Sequence, residues 1–314
     1  SILPATDAGR DVTDNFHQEY GPKNYEFDLS RLAEKPPFPL PEALPDMFRL
    51  DDEIPLDRWL FGQYNRLLPA KVSLRALAGI AMEGRDGLQL ESAAPRIANA
   101  ATRLGDHLRA LDRRFDTHRD DALATAFPES TLEGQKGRVR YQNQFVGHTV
   151  KGEQGGLLVG LKLALIQVHK NTPYILPTLG GWAFSRLRNP ILDEPIGTDS
   201  PPARLSEEEI RFLVQHIKQH VPVERFAYRA TLSQIAQGRN TPEQVNDGLA
   251  RHLSDGKKID DKQDFVSTQR SGVIGRMNDL GLLNRQREGT RITYHMTARG
   301  EEFLEEVRPI PVGA

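Results

Sequence analysis

The sequence contains no cysteine. Disulfides, thiolate zinc sites, iron–sulfur ligation and cysteine nucleophiles are therefore excluded together, and the chain reads as cytoplasmic. It also lacks an apolar run of membrane-spanning length. The longest apolar stretch, residues 157–168, is broken by Gly160, Lys162 and Gln167, so no membrane partner is expected. Ser1-Ile2-Leu3-Pro4 has no basic region followed by an apolar core, so no export signal is expected. Nor is there an excess of one charge: 41 Lys+Arg stand against 43 Asp+Glu, a formal net charge of −2.

Catalytic signatures are missing too. No G-x-x-x-x-G-K-[ST] occurs, and Gly155-Gly156 precedes a helical segment rather than following a buried strand, which argues against a nucleotide loop. His216 and His220 are four apart, but no Glu lies between them and no third ligand is near in sequence. They read as exposed histidines, with no metal. Asp51-Asp52-Glu53 and Asp260-Asp261 have no partner motif and read as solvated acids. No nucleophile elbow appears. The chain is expected to be non-catalytic and to use no cofactor.

What is present is an uneven distribution of charge and proline. Residues 1–58 hold 13 acids and 6 bases, and residues 59–314 hold 30 acids and 35 bases. The acidic part includes Pro36-Pro37-Phe38-Pro39-Leu40-Pro41 and Pro45, a density of proline that enforces extended chain. It is expected either to hug the surface or to act as a docking strip or acidic cover. A second proline cluster, Pro190, Pro195, Pro201 and Pro202, interrupts any helix between Asn189 and Arg204. At 314 residues two domains are expected. The division is an arm over 1–50, a first domain over 51–190, a linker over 191–204 and a second domain over 205–310.

The second domain has the clearest pattern. Ser206 followed by Glu207-Glu208-Glu209 is a capping-box start; Ile210, Leu213, Val214 and Ile217 share one helical face, and Pro222 closes the helix. Further helices are expected over 226–236, from Thr241-Pro242, and from about Ser267 to Leu280, with Gly281 as left-handed cap. A polar loop is expected over 256–264. The period then changes to two: residues 282–286 and 291–296 read as strands around Arg287-Glu288-Gly289-Thr290. A last helix begins at Thr297. Helix, Leu-Gly-Leu, basic-tipped hairpin and Tyr-x-Met-Thr-x-x-Gly-x-x-Phe-Leu together resemble the winged-helix domains of prokaryotic regulators.

Slid over the first domain, the pattern recurs. Thr178, Gly181 and Phe184 match the offsets of Thr297, Gly300 and Phe303. Leu163-Ala164-Leu165-Ile166 parallels Leu280-Gly281-Leu282-Leu283, which makes the first hairpin two residues shorter. At the front, Leu68-Pro69, Arg75-Ala76, Ile80-Ala81 and Gly84-Arg85 parallel Val221-Pro222, Arg229-Ala230, Ile235-Ala236 and Gly238-Arg239. The chain thus reads as a diverged tandem duplication, interrupted in the first copy by a helical insert over 90–114. The expected fold class is mainly α with small β-hairpins, as two winged-helix domains in tandem behind an extended proline-rich arm.

The resemblance implies double-stranded DNA as a ligand, with a recognition helix in the major groove and a wing on the backbone. Ser267, Thr268, Gln269 and Arg270, placed at the start of the recognition helix, are the candidate base readers. Arg276 and the wing residues Arg285, Arg287 and Arg291 are candidate phosphate contacts. In the first copy the candidates are Lys136, Arg138, Arg140, Lys151, Lys162 and Lys170. DNA binding would place the protein on the nucleoid, as a regulator or a subunit of a larger DNA-processing, defence or chromosome-associated complex. The alternative is a scaffold subunit resembling the kleisin-binding tandem winged helices, engaging protein partners through its arm or domain faces. The near-neutral charge and the acidic arm suit that role.

Overall fold

The computed structural model describes residues 27–43, 47–131, 134–197, 199–253 and 262–307. The first 26 residues of the arm, Pro45, most of the polar loop 256–264 and the end of the second domain lie outside the described residues. The described residues are mainly α-helical, with three separate two-stranded antiparallel sheets among them.

In chain order the first half holds α1 (Leu68–Glu83), α2 (Leu90–Arg114) and α3 (Gly134–Tyr141), the last continued by a π-helical turn over Gln142–Val146. The small hairpin β1 (His148–Val150) and β2 (Glu153–Gly155) and a single helical turn, α4 (Leu157–Gly160), lead to β3 (Ala164–His169), β4 (Thr172–Pro177) and α5 (Leu179–Arg186). The second half holds α6 (Glu207–His220), α7 (Pro222–Ala236), α8 (Pro242–Ala250), α9 (Lys262–Asp279), β5 (Leu283–Glu288), β6 (Arg291–Met296) and α10 (Ala298–Glu306).

Local chemistry sets these boundaries. Ser206 with Glu209 and Thr241 with Gln244 form complete capping boxes. Pro222 opens α7 at its first position, directly after α6 ends, so the second helix starts four residues earlier than the pattern predicts. Helix α9 starts at Lys262, so Ser267–Arg270 sit in its second turn and beyond rather than at its N-terminus.

The two large hairpins are equal in length, correcting the shorter first hairpin expected from sequence. Their pairings run from Ala164↔Pro177 to His169↔Thr172 and from Leu283↔Met296 to Glu288↔Arg291, a constant displacement of 119 residues. Leu163 therefore corresponds to Leu282, not Leu280. The joint to the following helix is the same in both. Thr178 Oγ accepts from the Gly181 amide at 3.0 Å and donates to the Lys162 carbonyl at 2.9 Å. Thr297 Oγ does so with Gly300 at 3.1 Å and Gly281 at 2.6 Å. A Cβ on Gly181 would lie 1.8 Å from the Leu163 oxygen, and one on Gly300 2.0 Å from that of Leu282, so both positions need glycine. A further backbone segment meets the returning strand of each hairpin at adjacent positions: Gln89 bridges Tyr174, and the Tyr294 amide donates to the Asn240 carbonyl.

Helix α1 lies in the middle of the core, with every residue from Leu68 to Ala81 buried, including Lys71 and Arg75. Lys71 pairs with Glu209 at 2.8 Å and donates to the Phe184 and Leu187 carbonyls. Arg75 grips Asp193 through both terminal nitrogens and reaches the carbonyls of Phe27 and Leu187. Asn189 joins Arg204 and Glu209. The proline-rich segment between the halves is thus held by buried polar contacts at both ends.

The part of the arm that is described hugs the surface. Phe27, Leu32 and Leu40 are buried, the Leu179 amide donates to Pro41, and Arg186 donates to Glu34. Residues 50–60 then cross to the second half, where Leu56 pairs with His252 through the backbone and Trp59 meets the Phe226 ring edge-on. One continuous stretch of chain therefore stitches both halves before α1 begins.

Candidate nucleic-acid interface

The helix expected to read bases, α9, is covered along one face by residues 56–67. Gln269 donates from its amide to the Leu56 carbonyl at 3.2 Å. A Cβ on Gly272 would lie 2.4 Å from the Gly62 oxygen, and one on Gly275 2.4 Å from the Asn65 oxygen. Arg276 donates to the Tyr64 carbonyl, and the Asp279 carboxylate accepts from the Leu67 amide at 2.9 Å. Only glycine at 272 and 275 permits backbone to approach backbone this closely.

Three of the five candidate arginines of this half are committed to internal ion pairs. Arg276 is fully buried and pairs with Glu224 at 2.8 Å. Burial opposes charge on both partners and raises the Glu224 carboxyl above its ordinary value; at Arg276 burial is the largest influence and lowers the pKa, but Glu224 and Tyr228 together more than offset it and leave it raised. Asp120, from the loop after α2, takes both Arg285 at 3.2 Å and Arg287 at 2.9 Å. Partial burial raises the Asp120 carboxyl, but the two arginines and His118 hold it below its ordinary value. Among the described residues, the acid that pairs with the β5–β6 hairpin arginines is supplied by this loop.

The remaining candidates of the second half divide. Gln269 is 2% exposed and Arg270 8% exposed, so neither side chain is presented to a duplex. Ser267 and Thr268 are half-buried. Arg291 is exposed at the hairpin end, opposite Glu288, with no ion pair among the described residues.

The first half presents its basic side chains outward. Lys136, Arg140, Lys151 and Lys170 are exposed and Arg138 is half-buried; none of the five makes an ion pair among the described residues. They sit on elements in mutual contact. The His148 ring at the start of β1 bonds the Asn143 carbonyl at 2.9 Å, and the Gln154 amide in β2 donates to Ile166 in β3 at 3.0 Å. Lys162 is half-buried at the entry to β3.

The backbone under these lysines is unusual. Lys151, Lys162 and Lys170 have φ of 52°, 58° and 48°, the left-handed region that costs an ordinary side chain roughly 1–2 kcal/mol. By the 119-residue displacement, Lys162 corresponds to Gly281 (φ 64°) and Lys170 to Gly289 (φ 61°). Where the second half uses glycine to make the turn, the first half keeps lysine.

The pair His216 and His220 is not the exposed pair expected from sequence. His216 is buried, and its Nε2 bonds the Leu161 carbonyl at 2.8 Å, linking α6 to the first half. Among the described residues no group of three His, Asp or Glu side chains is arranged to hold a metal, and no helix is long and apolar enough to cross a membrane.

Sequence reasoning missed Asp120, Glu224 and the covering segment 56–67. One local signal was available: Gly272-x-x-Gly275 on a helix face, which marks a close backbone approach. The partner of that approach lies some 200 positions away and left no pattern. No family model matches this chain, no curated protein matches it, and no solved structure does.

Proposed function

We propose that this chain is a non-catalytic double-stranded DNA-binding protein made of two tandem winged-helix units, and that the first unit makes the DNA contact. The observation that carries this reading is the trio of lysines held at positive φ in the first half, two of them standing where the second half has glycine. Backbone strain is retained where a side chain is worth it. Lysine at a hairpin tip places a compact charge where it can meet a phosphate, and Lys136, Arg138 and Arg140 on α3 supply further charge beside it. In the second unit Gln269, Arg270 and Arg276 are buried and Arg285 and Arg287 are held by Asp120, so that unit serves as a brace and the contact is mainly with the DNA backbone.

The scaffold reading is supported by a different observation. Val139, Val150 and Val168 are 51%, 57% and 62% exposed, interleaved with the same basic residues. Apolar side chains in that setting favour a protein partner in the same assembly. The two readings separate by titrating duplex DNA over a salt series. Backbone contact requires log affinity to fall steeply with log salt, by about 0.9 per phosphate engaged. Absent binding at low salt leaves the scaffold role.

A further inference from the structure

Where the two halves meet, the loop after α2, the face of α9 beside the covering segment, and the β5–β6 hairpin enclose a cavity of about 570 Å³. Its lining carries five arginines, Arg66, Arg119, Arg270, Arg285 and Arg287, against two acids, Asp120 and Asp121. A site so lined has a positive potential that water does not fully screen.

Arg270 is the anomaly. It is 8% exposed, and its guanidinium meets only the Ser267 and Ser271 hydroxyls, at 3.3 and 3.4 Å, with its Nε unpartnered. No carboxylate pairs with it among the described residues. A buried cation without a counter-charge is costly to a folded chain and is kept where something neutralises it. Arg66 is half-buried and likewise makes no ion pair among the described residues. It donates only to the backbone carbonyls of Asn65 and Asp120, and its Nε is also unpartnered. Burial pushes the Arg66 guanidinium below its ordinary value; Asp279 opposes this, and Arg204 and Arg285 add to it.

A second cavity of about 440 Å³ adjoins the first, sharing Asn65, Thr125 and Ser271. Its lining is of amides and hydroxyls, among them Gln63, Gln144 and Thr268, with Arg140. One compartment therefore suits several negative charges and its neighbour suits an uncharged hydrogen-bonding group. Both are of ligand-pocket size.

We propose that this double crevice binds a small phosphate-bearing molecule of nucleotide size, with Arg270 and Arg66 on the phosphates and the hydrogen-bonding end among Gln63, Gln144 and Thr268. Arginine is the side chain fitted to bidentate phosphate recognition. Arg285 and Arg287, held by Asp120 in this structure, turn to the ligand when it enters, so Asp120 acts as a placeholder for its charge. This inference does not rest on the DNA reading: Lys136, Arg138, Lys151 and Lys170 do not line the crevice, and Arg140, in the lining of the second cavity, is the one side chain of that basic set that does.

The test is calorimetric titration of the full chain with pyrophosphate and with ATP at fixed ionic strength, with thermal denaturation in parallel. The expected result is saturable binding of either probe and a rise of several degrees in melting temperature at saturation. Arg270→Met should lose at least about tenfold in affinity without a fall in the ligand-free melting temperature, since it removes an unpaired buried charge. Asp120→Asn should bind several-fold tighter. Arg287→Ala, at a more exposed position, should weaken binding whether or not the Arg270 variant folds. No saturable binding of either probe, unchanged binding by Arg287→Ala, or binding of a short 5′-phosphorylated oligonucleotide alone would each overturn the proposal.

Discussion

The two large hairpins and the helix starts that follow them share a backbone, and the halves that carry them differ in what they do with their charge. The same threonine lock, the same buried glycine and the same strand register recur 119 residues apart. Yet the second half turns Arg276, Arg285 and Arg287 onto Glu224 and Asp120, while the first leaves Lys136, Arg140, Lys151 and Lys170 unpaired and exposed. A matching hairpin geometry therefore does not carry a matching surface. In the second half, α9 is the seat for residues 56–67, and this locks the halves together.

The largest expected effect breaks that lock. Arg276→Ala leaves Glu224 fully buried without a cation and should cost about 3–5 kcal/mol, read as a lower denaturant midpoint. A loss under about 1 kcal/mol would mean that the pair is dispensable and the second half is not a brace.

A smaller effect sharpens the contrast at the turns. Lys170→Gly should raise stability by about 1 kcal/mol by relieving a positive φ, and at the same time weaken DNA binding. The mirror change, Gly289→Lys, meets no atom within 4 Å, so it should cost about 1 kcal/mol through backbone strain alone. If Lys170→Gly left both properties unchanged, the lysine would not be held there for its charge.

The smallest effect lies at the junction. Burial, reinforced by His220 and opposed by the bond to Leu161, lowers the His216 pKa below its ordinary 6.5. The unfolded imidazole then takes up a proton that the folded one refuses. Stability is full above about pH 6.5 and falls as the pH drops below it, by at most about 1.4 kcal/mol per pH unit. His216→Gln, which retains an amide donor toward Leu161, should flatten that slope in denaturation curves taken between pH 5 and 7.

Much of the fold was legible because its signals are local. The helix over 90–114, the Ser206 capping box, the Thr241-Pro242 helix start, the left-handed Gly281 and the presence of the two large hairpins follow from spacings within a few residues. The candidate site was legible only in part. An arginine in a helix reads as surface unless its acid is near in sequence, and Glu224 lies 52 positions from Arg276. Gln269 and Arg270 have the residue types of a base-reading helix, and only the distant Leu56–Leu67 segment reveals that this face is taken. The hairpin register slipped by two for a similar reason: Leu280-Gly281-Leu282 offers two leucines, and a backbone lock, invisible in composition, selects the second.

The central claim is that the first half contacts DNA and the second does not. Its most direct test is one salt series on a duplex, comparing the wild-type chain with two charge-matched variants. One replaces Lys136, Lys151 and Lys170 by alanine, and the other replaces Arg285, Arg287 and Arg291. The account predicts that the first variant loses about 0.9 of log–log slope for each phosphate contact removed, while the second keeps the wild-type slope. An unchanged slope in the first variant, with the loss falling on the second, would contradict it.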